Sequence, residues 1–121
     1  MIVAQATGCA PIVRAFREGA DRATPWEHPT THAAGIRVPG PLGDRLLLKL
    51  LHESRGDAAA VDEDVIRDAT RSLATATGVD AAPEGGAALA VAAVLVREGR
   101  LAPESEVVVF NTGSGASYRG E

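Results

Sequence analysis

Asn111-Thr112-Gly113-Ser114-Gly115 gathers two hydroxyls and two glycines into five residues. Glycine lets a backbone come close to a ligand, and each hydroxyl can donate and accept a hydrogen bond. The run before it, 106–110 (EVVVF), has no polar alternation, which predicts a strand buried on both faces, as in a parallel sheet. Ligands of open α/β sheets bind beyond the carboxyl ends of strands, so the segment is a candidate cradle. An ordinary Gly-rich turn has the same pattern and is the commoner use of it. No lysine follows to make a phosphate loop of the G-x-x-x-x-G-K-[ST] type. Tyr118 stands where the third glycine of G-x-G-x-x-G would fall.

Other reactive types are sparse. His28 and His32 have i, i+4 spacing, but Pro29 between them argues against a regular zinc-binding helix. No second cysteine or paired carboxylate completes a metal site, and no G-x-S-x-G elbow is present. Cys9 beside a strand end could be a nucleophile, although free cysteine is more often a small buried residue. Glu84, between Pro83 and Gly85, reads on its own as a first-turn acid facing a helix dipole. Lys49 is the only lysine.

The elements that must position these groups alternate in type. Residues 2–4 predict a strand running into Thr7-Gly8. Pro11 suits the first turn of a helix and Gly19 its end. A proline-containing loop covers 20–32, and a short helical turn falls within 31–38. A helix from Asp44 carries Leu46, Leu47, Leu50 and Leu51 as one apolar stripe and stops at Gly56. Residues 58–61 predict a strand. Asp62 suits an N-cap ahead of Glu63 and Asp64, and that helix stops at Gly78. Pro83-Glu84 opens another helix that closes at Gly99. The order implies an α/β fold: a mostly parallel sheet flanked by helices, in a single domain spanning 1–121. Residues 86–96 are apolar nearly all round, and three short strands offer such a helix little cover. The expectation is therefore self-association through this helix, or a further part of the protein packed on it.

Composition bounds the partners. The 121 residues carry a net charge of −4 with basic residues spread singly, which argues against nucleic acid. The longest apolar run, 87–96, is far short of the ~18 residues of a membrane span. A single cysteine fits a reducing compartment, and MIVAQATG lacks the features of a signal peptide, so the expected location is the cytoplasm.

Read together, QATGCAPIVRAF, TPWEHPTTHAAGIRVPGPLGD, the acidic helix start after AAAV, APEGGAALAVAAVLVREG and VVVFNTGSG resemble, in order and spacing, the C-terminal part of the threonine synthase family, from about Val3 to Gly115. That family consists of fold-type II pyridoxal-phosphate enzymes. The resemblance implies the C-terminal part of their large domain and a small-molecule substrate. The reaction it implies converts O-phospho-L-homoserine and water to L-threonine and phosphate. It places Thr112 beside the pyridine nitrogen of the cofactor and implies further cofactor contacts from Ala6, Glu84, Gly113 and Ser114. Threonine or serine dehydratases share the architecture and form the alternative; a non-catalytic, partner-binding α/β piece is a third reading. The family's Schiff-base lysine and Gly-rich phosphate loop lie N-terminal of the QATG strand and have no counterpart here. Lys49 falls by register in the leucine-rich helix. No catalytic residue is therefore assigned, and the expectation is a truncated chain inactive alone. Gly115-Ala116-Ser117-Tyr118 departs from the family's Gly-Leu-Lys-Tyr ending at two positions.

Overall fold

A computed structural model describes residues 1–120. The chain forms two compact units, Met1–Ala60 and Val61–Glu121. The first holds β1 (Ile2–Ala6), α1 (Pro11–Arg17), a 3₁₀ turn (Ala34–Ile36), α2 (Asp44–Glu53) and β2 (Asp57–Val61), whose last residue enters the second unit. The second holds α3 (Glu63–Thr77), α4 (Pro83–Arg97) and a 3₁₀ turn (Gly115–Tyr118).

β1 and β2 pair as a two-stranded sheet. The Asp57 amide donates to the Met1 carbonyl at 3.1 Å, so the two strands start side by side and run parallel. The crossover between them carries α1 and α2, as parallel pairing requires. α1 starts at Pro11, where a missing amide costs nothing. Its N-cap, Ala10, has no side chain that can cap. Gln5 on β1 does that work instead: its Oε1 accepts from the amides of Ile12 and Val13, both at 3.0 Å. One buried carboxamide thus ties the strand to the helix that follows. The core gathers Ile12, Val13, Ala15, Leu48, Leu51 and Ala58, with Phe16 and Trp26 packed against it.

The leucine stripe of α2 is rotated from its expected phase. Leu48 and Leu51 are buried, whereas Leu46 is 62% and Leu50 38% exposed. Leucine fills five of the six positions 46–51, so the pattern defines no unique face; packing against the first unit's core selects it.

In the second unit α3 and α4 pack together. Asp62 occupies the N-cap of α3, without a capping bond from its side chain, and Gly78 ends the helix in the left-handed conformation (φ 73°). The helices meet where Gly86 leaves room. A Cβ there would run into the Thr70 hydroxyl and stand 2.7 Å from the Ile66 carbonyl oxygen. That carbonyl already accepts from Thr70 Oγ1 at 2.7 Å. α4 is better covered than its composition suggested: within 86–96 only Ala93 is exposed. The expectation of an open apolar side on this helix is therefore corrected.

The expected strand at 106–110 is also corrected. These residues form no strand, and Val108 and Phe110 are 81% and 77% exposed. A strand is completed by a neighbour's backbone, and among the described residues none lies beside this run. The absence of polar alternation described a strand with partners on both sides and said nothing of where they come from.

Gly86→Ala is expected to destabilise the chain by about 1–3 kcal/mol, as overpacking does, because backbone as well as the Thr70 hydroxyl must move. Urea unfolding checks this: the midpoint should fall while the slope stays constant.

Candidate functional site

The loop at 111–115 is held against the segment that leads into α4. Ala81 and Ser114 form an isolated antiparallel bridge. The Ala82 amide donates to the Gly113 carbonyl at 3.2 Å, and the Gly115 amide to the Asp80 carbonyl at 2.9 Å. No side chain fits at Gly115, where a Cβ would run into the Asp80 carboxylate and stand 3.0 Å from the Ala81 carbonyl oxygen. Gly115 therefore serves close approach of the tail to the segment at 80–81.

The side chains divide into engaged and open. Ser114 Oγ donates to Asp80 Oδ2 at 3.3 Å and accepts from the Ala116 amide at 3.1 Å, capping the 3₁₀ turn. Glu84, in the first turn of α4, accepts from the Tyr118 hydroxyl. Thr112 is exposed, and its hydroxyl makes no hydrogen bond among the described residues. Of the expected cofactor contacts in this unit, only Thr112 offers an uncommitted hydroxyl.

Sequence reasoning missed Asp80 and Arg119. The guanidinium grips the carboxylate with both ends, Nη1 to Oδ1 at 2.9 Å and Nη2 to Oδ2 at 2.8 Å. Such paired bonds are the stronger form of ion pair, although this one is exposed to solvent. The Arg119 guanidinium, aided by Ser114, holds the Asp80 carboxyl below its ordinary value. The signal available in the sequence was slight: an aspartate after Gly78-Val79, and an arginine beyond the last recognisable motif.

Ala6, the remaining expected contact, is the buried last residue of β1 in the first unit, and its carbonyl accepts from the Cys9 amide at 2.9 Å. Burial pushes the Cys9 thiol up, which keeps it protonated and argues against a nucleophile. His52 stacks obliquely on Phe16, with ring centroids 5.5 Å apart. Lys49 is exposed on α2 and pairs with Glu53 at 3.7 Å, a surface arrangement.

Comparison with known proteins gives these residues a setting. The family model described as pyridoxal-phosphate dependent enzyme matches residues 1–113. Threonine synthase of Methanosarcina acetivorans is 36% identical over 109 residues, which is 90% of this chain and 27% of that protein. Threonine synthase of Methanocaldococcus jannaschii is 33% identical over 111 residues, 92% of this chain and 27% of that protein. Among solved structures, a threonine deaminase from T.th. superposes with a TM-score of 0.63 at 27% identity, covering 83% of this chain and 35% of its own. The chain thus spans about a quarter of the length of these threonine synthases.

The pH dependence of the tail follows from Asp80. Its carboxyl is depressed in the folded state, so the contact contributes above the ordinary value of 3.8 and is lost as pH falls through the lower folded value. Carbon-detected NMR titration should place the Asp80 carboxyl below 3.8. In Arg119→Gln it should move back up towards the ordinary value; an unmoved titration there would remove Arg119 as the cause.

Proposed function

We propose that this chain, which belongs to the pyridoxal-phosphate dependent enzyme family, supplies the wall of a threonine synthase-type site that faces the cofactor's ring nitrogen. The observation that carries the reading is the exposed, uncommitted hydroxyl of Thr112, two residues before Ser114, which is engaged with Asp80, while Glu84 accepts from Tyr118. When bound, pyridoxal phosphate supplies an electron sink for carbanion chemistry at an amino acid. A threonine hydroxyl can donate to an unprotonated ring nitrogen without bringing charge, whereas a carboxylate there would favour the protonated ring. Thr112 fits that donor set, and Gly113 keeps the loop narrow beside it. Ser114 and Glu84 act one step away, since their polar atoms hold the tail.

The reaction this reading assigns to the whole protein is conversion of O-phospho-L-homoserine and water to L-threonine and phosphate. The identities to two threonine synthases support it. The superposition on threonine deaminase supports the second reading, a deaminating lyase on the same architecture. In both readings the imine-forming lysine comes from outside these 121 residues, because Lys49 is on a helix surface and paired with Glu53. The exposed run at 106–110 is then a strand completed by the remainder of the protein, with location in the cytoplasm and a homo-oligomeric state as further parts of the proposal.

The test replaces the matching quarter of the Methanosarcina acetivorans enzyme with this chain. The chimera should release phosphate from O-phosphohomoserine and form threonine. Thr112→Ala in it should weaken cofactor retention about a few-fold to tenfold, as loss of a hydrogen bond of roughly 0.5–1.5 kcal/mol predicts, and Thr112→Ser should change it little. Retention in Thr112→Ala equal to the parent would sink the assignment; deamination of threonine without phosphate release would transfer it to the second reading. Separately, the purified 121-residue chain with added pyridoxal phosphate should release no phosphate, and any turnover would show that Lys49 had been misjudged.

A further inference from the structure

We propose that Asp80 is a positioning residue for the 111–115 loop, with Arg119 as its clamp, so that the tail sets how Thr112 is presented; the link to Thr112's role rests on the cofactor reading above. Three different groups converge on Asp80. Its carboxylate takes both ends of the Arg119 guanidinium, at 2.9 and 2.8 Å. The same carboxylate accepts from Ser114 Oγ at 3.3 Å. Its backbone carbonyl accepts from the Gly115 amide at 2.9 Å. Residues 114, 115 and 119 are thus all tied to one residue that stands three positions before Pro83, the start of α4.

The geometry makes this a register lock. The Asp80 carbonyl fixes the backbone on the far side of Gly113, and the Ala82 amide fixes the Gly113 carbonyl itself at 3.2 Å. Thr112 is the residue immediately before these two anchors. A second tie, Tyr118 to Glu84, holds the tail at the first turn of α4. Because a Cβ at Gly115 has no room beside the Asp80 carboxylate, a one-residue shift of the loop, which would bring Ser114 or Ala116 there, could not sit as close without moving that carboxylate. Arg119 closes the arrangement from outside: its guanidinium holds the Asp80 carboxylate that accepts from Ser114. Asp80 acts through the loop it holds.

Amide exchange, read by NMR on the 121-residue chain itself, tests the lock. In Asp80→Asn and, independently, in Arg119→Gln, the Gly115 and Ala82 amides should exchange about three- to tenfold faster, the scale of losing a hydrogen-bonded contact. Amides in the middle of α4, such as Val91 and Leu95, should not change. Unchanged exchange at Gly115 and Ala82 overturns the proposal. So does an equal acceleration across α4, which would make the pair a general stabiliser. In the chimera, cofactor retention supplies a coupling readout. Asp80→Asn should weaken retention in the parent and add nothing in the Thr112→Ala background, because both changes then act on one contact. An equal loss in both backgrounds overturns the link to Thr112. If Thr112→Ala alone left retention intact, the cofactor reading would fail, while the exchange result would still decide whether Asp80 holds the loop.

Discussion

Two backbone approaches that exclude a Cβ set the second unit, and the candidate site depends on both. Gly86 lets α4 come against α3 so closely that the Thr70 hydroxyl and the Ile66 carbonyl fill the space a side chain would need. Gly115 lets the tail come against the segment at 80–82 just before the same helix. The first approach fixes α4; the second hangs the loop from its N-terminal end. A side chain at Gly86 forces backbone to move, which close-packed interiors absorb poorly, and one at Gly115 displaces the Asp80 carboxylate that holds the tail. The position of Thr112 is therefore set by what is missing at two glycines as much as by the bonds that are made.

The local parts of this arrangement were legible in the sequence because their causes are local. Pro11, Gly78, Pro83 and Gly99 mark helix ends through constraints on their own φ angles or amides, and the helices begin and end beside them. The QATG turn was recognised, but Gln5 was not identified as the group that caps α1. A glutamine reaching seven and eight residues ahead from a strand to a helix start has no fixed spacing to read. The same limit hid Asp80: its partners lie 34 and 39 residues away. Residue types announced that Ser114 and Glu84 were polar and near a turn, and only the fold shows that their polar atoms are engaged.

Two of the three expectations that failed, the phase of α2 and the strand at 106–110, did so for reasons of partnership rather than composition. The phase of α2 could not be read because leucines occur on nearly every side of it, leaving the neighbouring core to choose. The run at 106–110 has strong strand character but lacks a strand beside it among the described residues. Strand formation is a property of a pair, since each backbone donor and acceptor is satisfied by the neighbour. Helices α3 and α4 close their backbone bonds internally and need no other segment's backbone to do so. That asymmetry explains why the helices were read well and the last strand was not.

The electrostatics around α4 complete the argument for a neutral hydroxyl. Two carboxylates, Asp80 and Glu84, flank the start of the helix, where unpaired amides already favour negative charge. Left open, either could present charge to a ligand at the loop. Asp80 is matched by the Arg119 guanidinium and Glu84 accepts from the Tyr118 hydroxyl, so both acids face the tail. Ala116 and Ser117, between the loop and Tyr118, bring no side chain to these two contacts. The tail thus commits these two acids and leaves the Thr112 hydroxyl as an uncharged donor on the loop. A ring nitrogen that is to stay unprotonated needs a donor of that kind, because a free carboxylate at the same place would raise its proton affinity.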